Sequence, residues 1–434
     1  MAGLACVAVI IVLWGMVSGP LDRRGVTSAL VFTIAGFIVG ASALGWLDVP
    51  VESAAAELVT EVALVLLLFS DAARLDLRAL RRELSWPSRL LLIGLPLTML
   101  AGMGVGMLVF PGMALASVFL LSTMLCSTDA ALGQQVVSDT SVPARVRQTL
   151  DVESGLNDGL AVPFFVVALD LANAELTTGF TWAVIGNAAE QIGWGLVAGL
   201  VAGLLGAVAF RIGGRRGWIG SEWRQIVPLA AALLAYALAM TLGGSGFIAA
   251  FVGGMAFGAA GALQGSAVTL LTEETGGLLA AVTWIGFGAL ALGWALPHIT
   301  WQVVLYAILS LTLVRMVPVA IAMAGKGARR PTVAFIGWFG PRGLASVVFA
   351  LLVVERGVPE QDTLLTTVVL TVALSVLLHG LTSAPFVRAY HRWYEARTEA
   401  HPAAPEAVAA QMPRQRRQIS AADIARLAGD QRRD

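Results

Sequence analysis

Apolar spans of membrane-crossing length recur along almost the whole chain, and that recurrence constrains the fold more than any single motif. The spans cover residues 2–18, 26–46, 54–72, 88–109, 112–139, 147–171, 182–211, 225–242, 246–262, 276–294, 299–324, 331–354 and 361–385. Each is near the ~20 residues that a helix needs to cross ~30 Å of hydrocarbon. The fold expected is therefore an all-α polytopic membrane protein of about thirteen transmembrane helices. Charge content agrees, because 13% of the 434 residues are charged, against about 25% in soluble domains. The first span has no basic residues ahead of it and is followed by Pro20 and Arg23-Arg24. A signal peptide carries its positive charge first, so this span reads as a retained helix.

Loop charges give an orientation. Arg23 and Arg24, then Arg74, Arg78, Arg81, Arg82 and Arg89, then Arg145 and Arg147 lie on alternate connections. So do Arg211, Arg215, Arg216 and Arg224, then Lys326, Arg329 and Arg330, then Arg388 and Arg392. The intervening loops around residues 50, 111, 175, 243 and 296 carry no Lys or Arg, and the one near 356 has only Arg356. By the positive-inside rule the N-terminus is outside and the C-terminus cytoplasmic, in a cell (inner) membrane. The loop 262–275 departs from the pattern, with Glu273 and Glu274 and no basic residue. Residues 1–385 form the transmembrane domain, and 386–434 read as a polar, solvated cytoplasmic tail. Within that tail Ser420 to Ala428 fits a short amphipathic helix. Cys6 and Cys126 sit far apart in apolar runs, with no metal-ligand spacing. No cofactor, enzymatic chemistry or nucleic-acid partner is expected.

Two polar clusters interrupt the apolar spans: Ser127-Thr128-Asp129, and Glu153-Ser154-Gly155-Leu156-Asn157-Asp158-Gly159. A carboxylate at membrane depth costs roughly 2.5–3.5 kcal/mol on insertion scales and marks an ion pathway by default. Three acids, an amide and three hydroxyls make a cation site. On a helix Ser154 and Asp158 share one face and Glu153 and Asn157 another, offset by about 100°. Ser154 and Asp158 can then face a cavity with Thr128 and Asp129. Glu153 needs a separate counter-charge. Arg315, flanked by apolar residues in the eleventh span, is the expected partner in a buried ion pair. Asp71 ends the third span. It either reaches the same cavity or opens the loop with Arg74, Asp76 and Arg78, and the sequence leaves both readings open. Asp151 is expected at the cytoplasmic entrance, Glu61, Asp170 and Glu190 at span ends or a helix interface, and His379 as a packed helix-end residue.

The fifth span holds Cys126 to Asp129 at its middle, and the twelfth holds Phe339-Gly340-Pro341-Arg342-Gly343. Gly with Pro breaks a helix, and a break at membrane depth needs a cavity or protein around it. Interrupted helices seven spans apart point to inverted-topology repeats, at approximately 1–172 and 225–385 with 182–211 as connecting helix. Asp129 and Arg342 then carry opposite charges suited to balancing the half-helix ends.

These residues resemble the monovalent cation/proton antiporter superfamily, in its electroneutral NhaP-like branch. The resemblance rests on Thr128-Asp129, on Glu153 to Gly159 and on Arg315. Gly243-Gly244-Ser245-Gly246, Gly340-Pro341-Arg342-Gly343 and Leu377-Leu378-His379-Gly380 support it. It implies a thirteen-helix fold with a dimerisation domain beside a mobile six-helix core, assembled as a homodimer. It also implies Asp158 as the cation and proton carrier, with Asp129, Thr128, Ser154 and a third-helix carboxylate, here Asp71, near it. Electrogenic relatives carry Asp and Lys where this chain has Asn157 and Arg315, which implies one-for-one electroneutral exchange. Gly155 departs from the Leu usual in the family. The expected activity is exchange of a monovalent cation for a proton by alternating access, with a role in pH homeostasis. Sodium is the first expectation, and lithium and potassium remain open. A cation channel, an intramembrane aspartyl protease and an organic-anion symporter drawing on Arg342 are the competing classes.

Overall fold

The computed structural model describes residues 2–23, 25–47, 54–75, 86–177, 181–260, 268–398 and Glu406. Arg24, Asp76, Arg78, Arg81, Arg82 and the helix expected over Ser420 to Ala428 lie outside the described residues. Among those described, every element is helical apart from one isolated bridge between Gly40 and Leu47.

The first half runs α1 (Ala2–Arg23), α2 (Ser28–Val39), α3 (Ala54–Ala73), α4 (Pro87–Val109), α5 (Leu115–Met124), α6 (Ala130–Ser138) and α7 (Ala144–Thr177). The rest runs α8 (Trp182–Arg215), α9 (Trp223–Thr241), α10 (Gly246–Ala259), α11 (Leu270–His298), α12 (Trp301–Met323), α13 (Arg330–Trp338), α14 (Leu344–Arg356) and α15 (Gln361–Thr398). Eight of these are long and apolar enough to cross a membrane by length and composition: α1, α4, α7, α8, α9, α11, α12 and α15. A π-helical turn interrupts α4 at Leu90–Gly94 and α11 at Phe287–Leu292.

The span expected over 26–46 is helix only from Ser28 to Val39, shorter than a full crossing. Two further boundaries differ from the sequence reading. The loop expected over 262–275 is already helix from Leu270, which brings Glu273 into the first turn of α11. There Glu273 pairs with Arg74, just beyond the end of α3. The acids that broke the loop-charge pattern therefore belong to a helix, and one has a basic partner from another element. The last helix continues thirteen residues beyond 385, to Thr398. Its polar composition hides an aromatic face: Tyr390 stacks on Phe335 of α13, with ring centroids 4.3 Å apart. Further along the tail, the buried Glu406 carboxylate accepts from the Arg329 N–H and the Thr332 hydroxyl at the start of α13, both at 3.0 Å.

The helices pack as two groups. In one, α8 lies along α10 and α9, α10 lies along α3, and α3 and α2 lie along α11. Small residues set these distances. A Cβ at Gly199 or Gly203 of α8 would strike the backbone of Ala249 or Gly253 on α10. One at Gly254 or Gly258 of α10 would strike Phe69 or Ala73 on α3. Such small-residue faces let helix backbones approach in a bilayer, where burial from lipid supplies little drive of its own. In the other group, α4 to α7 pack with one another and with α12 to α15. Helix α7 touches both groups, with contacts to α3, α8 and α10 as well as α5 and α6.

Candidate cation site at two crossing helix breaks

Helix α5 ends at Met124, and the chain passes through Cys126-Ser127-Thr128 before α6 begins. Helix α13 ends at Trp338, and Phe339 to Gly343 lead to α14. The two gaps meet. The Asp129 N–H donates to the Pro341 carbonyl at 2.8 Å. Arg342 is fully buried, and its Nη1 donates to the carbonyls of Cys126 (2.7 Å) and Ser127 (2.9 Å). The Ser346 hydroxyl donates to the Met124 carbonyl at 2.6 Å. The carbonyls left over at the end of α5 thus receive a guanidinium and a hydroxyl from the other break.

Asp129 serves the opposite polarity. Its Oδ1 accepts from the N–H groups of Ala131 (2.7 Å) and Leu132 (3.0 Å), capping α6. Its Oδ2 accepts from the Leu344 N–H at 2.8 Å, capping α14. One carboxylate closes two helix N-termini, where the backbone leaves unpaired donors and partial positive charge. Asp129 and Arg342 form no ion pair with each other; each meets backbone supplied by the other's break. The glycines of Gly340-Pro341-Arg342-Gly343 make this approach feasible. A Cβ at Gly343 would overlap the Asp129 carboxylate, and one at Gly340 would overlap the Arg315 guanidinium.

Helix α7 passes the breaks with its polar turn. The Thr128 hydroxyl accepts from the Asn157 amide at 2.6 Å and lies 3.1 Å from the Ser154 hydroxyl. Ser154 and Asn157, three apart and so neighbours on α7, thus meet on one threonine. Glu153 turns away from this group and meets Arg315 of α12 in a bidentate pair at 2.6 and 2.9 Å. Both side chains are about 5% exposed or less. Paired forks of this kind are among the strongest hydrogen-bonded ion pairs.

Asp158 stands apart from both arrangements. It is only partly buried, yet its Oδ1 is shielded from solvent and has no hydrogen-bond partner among the described residues. Ser127, Asp129 and Asp71 are its polar neighbours. Asp71 faces α7 at Gly155: a Cβ built there would come 3.7 Å from the Asp71 Cβ. The departure at Gly155 leaves room beside the third-helix carboxylate. Among the described residues no three His, Cys, Asp or Glu side chains converge closely enough to hold a metal ion by themselves.

The remaining acids lie elsewhere. Asp151 is exposed at the start of α7. Glu61 accepts from the Tyr236 hydroxyl at 2.7 Å, and Asp170 accepts from the Gln191 amide at 2.8 Å. Both hydrogen bonds join helices, beside a cavity of about 500 Å³ that Glu190 and Arg356 also line. Sequence reasoning placed Ser127 in the polar cluster but missed Ser346 across the breaks and Ser375, whose hydroxyl accepts the Arg342 N–H at 2.7 Å. Isolated serines in apolar helices carry little signal, since a hydroxyl can always bond back to its own helix.

Comparisons agree with this architecture. A family profile described as "Sodium/hydrogen exchanger, transmembrane" matches residues 7–389. The chain is 25% identical over 371 residues to the K⁺/H⁺ antiporter NhaP of Alkalimonas amylolytica, covering 85% of this chain and 63% of that protein. It is 27% identical over 381 residues to the low-affinity Na⁺/H⁺ antiporter NhaS1 of Synechocystis sp., covering 81% of this chain and 68% of that protein. The chain thus spans less than two thirds of the NhaP relative's length. In structure it is similar to the sodium proton antiporter MjNhaP1 of Methanocaldococcus jannaschii. The TM-score is 0.70 at 19% identity, covering 87% of this chain and 98% of that one. Broken helices that meet at buried charges, and a family match that runs from the first helix into the last, lead to one conclusion: the chain belongs to the sodium/hydrogen exchanger family.

Proposed function

We propose that this protein exchanges one monovalent cation for one proton across the cell (inner) membrane by alternating access, with Asp158 carrying either in turn. One observation carries the reading: of the three acids in the polar clusters, Asp158 alone has a shielded oxygen with no partner among the described residues. Glu153 is matched by Arg315, and Asp129 by two helix ends. Within the polar clusters one carboxylate is left for cargo, and Asn157 stands where a second acid would carry another proton, which favours one-for-one, electroneutral exchange. Thr128 and Ser154 supply neutral oxygens beside it, and Asp71 a second carboxylate nearby. Loaded with a cation or a proton, Asp158 is neutralised and crosses the barrier. Empty, it remains a charge at membrane depth. Cation and proton then compete, so the apparent KM for the cation rises as pH falls.

The topology proposed alongside is thirteen crossings, counting α5 with α6 and α13 with α14 as one each. Repeats at about 1–172 and 225–385 flank α8, the N-terminus is outside, and the tail is cytoplasmic. The group containing α8 and α10 is the dimerisation side of a homodimer, and the group containing the breaks is the mobile core. Sodium is the proposed cargo. A potassium/proton antiporter is the second reading, favoured by the similarity to a K⁺/H⁺ antiporter. The test is dissipation of a pH gradient in proteoliposomes by sodium, lithium and potassium, with membrane voltage imposed separately. Voltage-insensitive, cation-dependent proton movement is expected, and Asp158→Asn should abolish it while leaving a folded protein. Exchange retained by Asp158→Asn would reject the carrier assignment, and no proton movement with any cation would reject antiport.

A further inference from the structure

The gap between α13 and α14 is held from a third helix. Ser375 and His379 lie one turn apart on α15 and are both almost fully buried. The His379 Nε2 lies 2.8 Å from the Trp338 carbonyl, the last residue of α13. The Ser375 Oγ lies 2.7 Å from the backbone N of Arg342, two residues before α14. One turn of α15 therefore grips both edges of the break: the Trp338 carbonyl where α13 stops, which also accepts the Gly340 N–H at 2.8 Å, and an amide within the gap. Thr382, on the same face, accepts from the Trp338 indole N–H at 3.0 Å.

The hydrogen pattern follows from the partners. A carbonyl only accepts, so Nε2 carries a hydrogen and donates to Trp338. The Ser375 Oγ accepts the Arg342 N–H, which frees its own hydrogen. The His379 Nδ1 lies 3.3 Å from that hydroxyl and 2.8 Å from the Ser375 carbonyl. A neutral ring takes the hydroxyl hydrogen, and a doubly protonated ring donates to the carbonyl. Under either assignment the hold on Trp338 is the same.

We infer that His379 and Ser375 are positioning residues for the cation site, acting through the second break; this rests on the antiport reading for its kinetic arm only. Neither touches Asp158. Their effect passes through Pro341, whose carbonyl takes the Asp129 N–H, and through Arg342, whose guanidinium holds the carbonyls of Cys126 and Ser127. If the gap slackens, Thr128 and Asp129 lose their register against α7.

The test uses His379→Ala, His379→Gln, Ser375→Ala and Ser375→Thr in the full-length protein. Hydrogen exchange over residues 339–344 is read first, because it needs no transport. Both alanine variants should lose about fivefold or more of the protection there, the loss of roughly one hydrogen bond. Exchange kinetics should show the apparent cation KM raised by a similar factor, with kcat within about twofold. Ser375→Thr keeps the hydroxyl and His379→Gln keeps an amide donor at the Nε2 reach, and both should recover. Wild-type protection and KM in both alanine variants would overturn the inference. Where alanine does not yield folded protein, His379→Gln is compared with His379→Asn, whose amide falls short of Trp338; equal behaviour of those two would also overturn it. Absence of exchange in the wild type would count against antiport alone, leaving the protection data to decide the role of α15.

Discussion

The two helix groups are held together by opposite means. Around α8, α10 and α3 the contacts are backbone against backbone, at glycines where a Cβ would have no room. Around α5, α13 and α7 the contacts are two guanidinium groups, two carboxylates and several hydroxyls, each directed at a particular carbonyl, amide or opposite charge. The first kind of packing is short-ranged and indifferent to charge. The second is directional, and each part of it loses its purpose when its partner is removed. A broken helix in a bilayer needs the second kind, because its freed backbone groups have no water to turn to. An unbroken helix needs only close approach.

The sharpest way to break this contrast is the Glu153–Arg315 pair. Removing one member of a buried ion pair costs about 3–5 kcal/mol, so Glu153→Gln and Arg315→Ala should each lower folded yield and thermal stability strongly. Normal melting of either variant in detergent would show that the pair adds little. Next comes Asp129→Ala, which removes two caps together at about 1 kcal/mol each. Thermal stability should fall by the sum, and Asp129→Asn, which keeps acceptor oxygen for only part of the pattern, should fall between. A smaller loss, about 1–3 kcal/mol, is expected for Gly199→Ala, where the added methyl meets the backbone of α10. That variant should leave the ratio of sodium to potassium transport unchanged, and a shift in selectivity would tie the glycine-packed group directly to the site. The mildest change is Gly155→Ala. It has room, and replacing glycine inside a helix should add about 0.5–1 kcal/mol of stability. If Asp71 serves the cation, the apparent KM moves with the substitution; an unaltered KM would set Asp71 aside.

Much of this was legible before any coordinates. The spans, the two breaks and the need of Arg315 for a carboxylate all follow from the cost of polar groups in hydrocarbon, a cost that depends on residue type and is visible in a string. What stayed hidden depends on which helix lies beside which. Nothing in the spacing of Asp129 says that it caps Leu344, 215 residues away. Ser154 and Asn157, three apart, are neighbours on α7, but nothing in the string says that both meet the Thr128 hydroxyl. Gly155 read only as a departure from the family's Leu, and the space it leaves for Asp71 appears only once α3 is placed against α7. The continuation of α15 to Thr398 was masked because its apolar face is aromatic and interleaved with charge.

The shared cap at Asp129 carries a thermodynamic consequence. Any ion that draws on that carboxylate weakens its hold on Ala131, Leu132 and Leu344 together. By reciprocity, whatever tightens those helix ends must oppose the ion by the same free energy. For such an ion, occupancy and order at the two breaks would be one coupled quantity, read in unison by amides on α6 and α14.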